Sequence, residues 1–134
     1  MRLVYSFALI MITCISFSAC SKHPGDIIEK IPQAQIEINL PVENAEIHIG
    51  DSLSVQGFAI STATIHGYDF VVKAASDTTV FYKKHIHDHD STVQFNEKWK
   101  CDMNAPCALE AGVILILDHD GHQASKFVRF NCIN

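Results

Sequence analysis

From Gln35 onward, apolar residues recur at every second position, in short runs broken by turn residues about every ten positions. Period two is the side-chain repeat of a β-strand, whereas a helix would need a repeat near 3.6. The runs are IEINLP (36–41), DSLSVQGFAI (51–60), IHGYDFVVKA (65–74), TTVFYKKHIH (78–87), STVQFNEKW (91–99), ALEAGVILILD (108–118) and QASKFVRFNC (123–132). In the second run Leu53, Val55, Gly57 and Ala59 share a face; in the third, Tyr68, Phe70, Val72 and Ala74 do; in the fourth, Val80, Tyr82 and Ile86 face the core. The sixth run is apolar on both faces and belongs at the centre of a sheet. Seven short strands with regular turns predict an all-β fold: an Ig-like antiparallel β-sandwich over residues 35–134.

The N-terminus is built differently. Residues 1–20 read MRLVYSFALIMITCISFSAC, with Arg2 ahead of an apolar run from Leu3 to Phe17. That run is shorter than the ~20 residues of a comfortable membrane span and has the form of a secretory leader. Its end, Phe17-Ser18-Ala19-Cys20, resembles the lipobox of bacterial lipoproteins, with Phe17 where Leu is commoner. The resemblance implies a signal peptide over 1–19 and a lipid on Cys20. It implies membrane attachment through that lipid in the bacterial cell envelope, at the outer membrane since Ser21 follows the cysteine. Residues 20–34, with two prolines and a glycine, read as a linker.

Removing the leader takes Arg2 from the 10 basic residues, so 9 face 15 acidic ones and the formal charge moves from −5 to −6. That balance, with no basic stripe, excludes nucleic acid as the expected partner and favours cations. No nucleophile elbow, HExxH, Walker loop or dinucleotide fingerprint is present. The expectation is a binding protein rather than an enzyme.

The stretch LPVENAEIHIGDSLSVQGFA resembles the opening of Ig-like and fibronectin-like modules in bacterial surface lipoproteins. With the His-rich middle and the DHDGH turn, the mature chain resembles small His-rich lipoproteins carrying an Ig-like domain. This resemblance implies fold and location, and no activity.

Two histidine groups stand out. Lys84–Thr92 reads KHIHDHDST, which places His85, His87 and His89 on one exposed face of a strand. Asp88 and Asp90 lie between and beside them as oxygen ligands or as carboxylates orienting the imidazoles. Asp118–His122 reads DHDGH. Asp120-Gly121 predicts a two-residue type I′ hairpin with His119 opposite His122, and Asp118 beside them. Clustered imidazoles suit Zn²⁺ or Cu²⁺. If the two bends share an end of the sandwich, all five histidines serve one site. The competing expectation is solvated histidines on a module that binds a protein or a glycan. His23, His48 and His66 are isolated and carry no expectation.

Three cysteines remain in the domain. An oxidising envelope favours a disulfide. Cys101 and Cys107 bracket the loop CDMNAPC, so the expected bridge joins them and leaves Cys132 free. Pairing of Cys132 with either partner, or a three-thiol zinc site, remains open.

Overall fold

A computed structural model of the chain describes residues 30–134. The leader, Cys20 and the linker up to residue 29 lie outside the described residues. Eight strands follow: β1 (Ala34–Leu40), β2 (Ala45–His48), β3 (Ser52–Ser61), β4 (Tyr68–Ala74), β5 (Val80–Ile86), β6 (Thr92–Lys100), β7 (Cys107–Ile116) and β8 (Gln123–Ile133). They form a three-stranded sheet, β1-β3-β6, and a five-stranded sheet, β2-β8-β7-β4-β5. The all-β sandwich is the one the alternation predicts, and β7 is central in its sheet, as its two apolar faces require.

Alternate residues from both sheets meet in one core. Val55, Ala59, Val93, Phe95 and Trp99 enter from the smaller sheet. Phe70, Val72, Leu109, Val113, Leu115 and Phe130 enter from the larger. Trp99 and Phe130 meet edge to face across the interior, ring centres 6.1 Å apart. At the open side, Glu97 of β6 points inward beside Val55 but is not stranded. It accepts from the Tyr68 hydroxyl at 3.0 Å and from Lys84 Nζ at 2.9 Å. These bonds join the free margins of the two sheets.

Four expectations need correction. First, β2 is a strand that the alternation does not single out. It has only four residues and pairs parallel with β8, so the sandwich is not wholly antiparallel. Second, Val80 does not face the core and is 51% exposed. The β4–β5 register slips between Val72 and Lys73, so Tyr82 and Ile86 point inward while Val80 falls out of phase. Third, β7 and β8 do not close in a two-residue type I′ turn. Ile116 pairs with Gln123, the Leu117 N–H reaches the His122 carbonyl, and only Gly121 of the Asp120–Gly121 pair has positive φ, 94°. The wider loop holds because Asp118 Oδ1 accepts from the N–H groups of Asp120 and His122 at 3.0 and 2.9 Å.

The fourth correction concerns sulfur. Cys101 is bonded to Cys132, and Cys107 is free. The reason is facing. Cys101 continues the inward phase of Phe95 and Trp99 and is fully buried. Its N–H bonds to the Asp51 carbonyl, which fixes it at the end of β6. Cys132 continues the inward phase of Phe130 from the opposite sheet. The bridge therefore spans the core between sheets. Cys107 lies directly across from Cys132 in the β7–β8 ladder, half-buried at the rim.

Candidate functional site: the histidine end of the sandwich

Three loops, β3–β4, β5–β6 and β7–β8, gather at one end of the sandwich. The first ties the other two together through backbone bonds. The Ile65 N–H donates to the Asp90 carbonyl at 2.9 Å, and the His66 N–H donates to the Ile116 carbonyl at 2.7 Å. Ile65 is fully buried and anchors the loop in the core. Gly67 follows with φ 121°, and a β-carbon there would stand 2.6 Å from the Ile86 carbonyl oxygen. Only glycine lets the chain turn into β4 so close to β5. His66 is thereby held between the other two loops.

The five expected histidines divide among three arrangements. His89 and His119 both meet the ring of His66, with centres 5.7 and 4.4 Å away. His85 and His87 pack on each other edge to face at 4.6 Å. His122 donates from Nδ1 to Asp118 Oδ2 at 2.5 Å. The two bends do share an end of the sandwich. The three histidines of KHIHDHDST nevertheless do not act as one row: His85 and His87 pack on each other, whereas His89, beyond the end of β5 at Ile86, meets His66 instead. Among the described residues, no group of three or more His, Cys, Asp or Glu stands ready to hold a metal ion.

The carboxylates are distributed differently from expectation. Asp118 does orient a histidine, His122. Asp90 instead caps the start of β6, accepting from the Thr92 N–H at 3.4 Å. Asp88 adds its negative charge to the surroundings of Tyr68. Burial pushes the Tyr68 phenol well above its usual value, and Glu97 adds to the rise. Asp69, which carried no expectation, is buried and binds both Lys83 Nζ at 2.9 Å and His85 Nδ1 at 2.8 Å.

Burial alone would raise the Asp69 carboxyl. The Lys83 and His85 hydrogen bonds outweigh it and hold the group below the usual carboxylate value. Its contribution to stability is therefore complete above the unfolded value of about 3.9 and is lost as pH falls through the lower folded value. Asp69→Asn should lower stability at pH 7 by about 1–3 kcal/mol. It should also flatten the stability curve below about pH 4. Urea unfolding of both proteins across a pH series is the measurement, and parallel curves below pH ~4 would contradict the assignment.

Asp69–His85 and Asp118–His122 share one logic. Each carboxylate takes Nδ1–H and leaves Nε2 of the ring unclaimed by that bond. Asp118 is likewise held low: desolvation opposes this, and the backbone and ring N–H groups of His122 overcome it.

The fold defines an Ig-like β-domain. No protein-family model matches the chain, and no curated protein matches it. Solved structures do. Wild-type OgpA from Akkermansia muciniphila is similar over 76% of this chain and 28% of its own, with 16% identity and a TM-score of 0.56. Catalytically inactive OgpA in complex with an O-glycopeptide (glycodrosocin) substrate gives 15% identity and a TM-score of 0.54, over 76% and 29%. The fibronectin(III)-like modules of Clostridium thermocellum CbhA give 17% identity and a TM-score of 0.46, over 74% and 96%. The chain thus spans little more than a quarter of the first of these proteins.

Proposed function

We propose that this chain is an Ig-like binding module, held in the cell envelope by a lipid on Cys20, whose partner docks on the outer face of the three-stranded sheet. One observation carries the reading. Phe58 stands on that face among four amide side chains, Asn39, Gln56, Gln94 and Asn96, around a shallow concavity. Ladder register sets them side by side: Phe58 opposite Gln94, and Gln56 opposite Asn96. Amides both donate and accept hydrogen bonds, as sugar hydroxyls do, and an aromatic ring offers an apolar surface to a sugar face. Protein hot spots are instead rich in Trp, Tyr and Arg. The face favours a glycan. The O-glycopeptide complex of OgpA lends support only as a neighbouring instance of the fold in a larger chain.

Glycan-array screening followed by titration tests this. Gln94→Ala/Asn96→Ala alters exposed positions, so stability should stay within ~0.5 kcal/mol. Affinity for the captured glycan should fall at least ~10-fold, about 1.4 kcal/mol, in this variant and in Phe58→Ala. Unchanged affinity in both, or no glycan captured, would defeat the sheet-face reading.

A second reading, a transition-metal role, is favoured by the carboxylate–histidine pairs. Holding Nδ1–H on a carboxylate fixes the tautomer and raises the basicity of Nε2, the pattern found behind metal-binding histidines. The binding would concern Zn²⁺ or Cu²⁺, and its role would be metal handling or sensing. On the lipid-anchor reading the tether from Cys20 joins the domain at this end. The chain enters β1 there, with Ala34 opposite Ser61 and the Thr62 N–H bonded to the Gln33 carbonyl.

A further inference from the structure

We propose that His66, together with His89 and His119, forms a transition-metal site for Zn²⁺ or Cu²⁺ at the loop end of the sandwich. The inference rests on the metal reading above and changes its centre: the key ligand is a histidine that no sequence pattern marks. Among the described residues, His66 Nδ1 is the buried side-chain nitrogen or oxygen that has no hydrogen-bond partner. A buried, unpartnered polar atom is costly, and a bound ion is one partner that would satisfy it. The rings that pack on His66 are themselves imidazoles, whose nitrogens suit the same ions.

The spacing fits a shared ion. With each nitrogen ~2.1 Å from zinc in a tetrahedral site, two bound imidazoles hold their centres roughly 5 Å apart. The observed separations, 4.4 and 5.7 Å, bracket that value. The nitrogens do not converge on one point as the rings stand. Closing the site calls on the side chains of His89 and His119. His66 is fixed by its backbone bond to Ile116 and by buried Ile65 on one side and Gly67 on the other. His89 and His119 are loop side chains with access to solvent that can rotate about χ1 and χ2 onto the ion. Asp88, Asp90, Asp118 and Asp120 flank the two loops and add negative charge that attracts a cation. Water completes the coordination of three imidazoles, as in open zinc sites.

The test is calorimetric titration of tag-free protein with ZnCl₂ and with CuCl₂, beside paramagnetic resonance of the copper-loaded form. His66→Ala and His119→Ala should each weaken binding at least ~10-fold and reduce the number of nitrogens coupled to copper. His119 lies in a solvent-facing loop, so that variant keeps the test open should His66→Ala fold poorly. His66→Leu should keep or raise the melting temperature without metal, since it removes the unpartnered nitrogen, yet lose the metal-induced rise. His48→Ala, at a histidine bonded to the Asn134 carbonyl and away from the three loops, should bind as wild type does. Wild-type affinity in the His66 and His119 variants, with loss in His85→Ala/His87→Ala, would overturn this site and leave the metal reading standing. The same retention would follow if a water alone fills the space beside His66. No heat of binding for either metal in the wild-type protein would overturn both.

Discussion

Cys132→Ser is expected to lower stability by about 3–4 kcal/mol, because it removes a bridge that closes a long stretch of chain. Cys101 and Cys132 are 31 residues apart, and the entropy removed from the unfolded chain grows with that separation. Cys107→Ser leaves the bridge intact and should change stability by less than about 1 kcal/mol. Cys101→Ser should fall between them. Cys107 sits opposite Cys132 in the β7–β8 ladder, where a replacement bridge can form once Cys101 is gone. Denaturant unfolding under non-reducing conditions ranks the three variants, and peptide mapping identifies the bridge in each. A native Cys101–Cys107 peptide, or a Cys132→Ser protein as stable as wild type, would refute the assignment.

Phe130→Ala should cost about 3–5 kcal/mol, the range for emptying a fully buried aromatic site. Phe130 has 0% exposure and meets Trp99 from the other sheet. Its ring is therefore packing between sheets, and its removal opens a cavity that rigid strands cannot readily fill. Phe58→Ala provides the contrast on the outer face: that ring is only half-buried, and its loss should matter more for binding than for stability. Thermal unfolding of both variants separates the two roles. A Phe130→Ala protein that melts with the wild type would show that the core does not depend on the Trp99–Phe130 contact.

Much of the domain is legible along the chain because alternation is a local property. Spacing alone places Val55 and Ala59 inward, and apolar residues on both faces place Leu109 to Leu115 in a central strand. Where local phase breaks, the pattern misleads. Alternation points Val80 to the core, but the register slip in β5 is decided by its partner β4. The Asp120-Gly121 pair has the chemistry of a tight turn, but Asp118, two residues before it, supplies hydrogen bonds that widen the loop. Little in the four residues of β2 marks them as a strand, since their pairing is with β8, the last strand of the chain.

His66 escapes the sequence pattern for a similar reason, although one signal is available. Successive strands that reverse direction place every second connection at the same end. Counting strands therefore brings the segments around His66, His89 and His119 to one end of the sandwich. Spacing along the chain favours His85, His87 and His89 instead, but the fold keeps His85 beside His87 and brings His89 to His66.

Strand content, the inward and outward faces of most strands, and the crowding of histidines and aspartates into the turns are properties of the chain itself. They follow from side-chain period and turn chemistry, which act over a few residues. Which cysteines join, which histidines meet and which carboxylates hold them are properties of the folded domain. Each depends on two segments far apart in the chain being brought together by the burial of a shared core, and no local pattern encodes the distance between them.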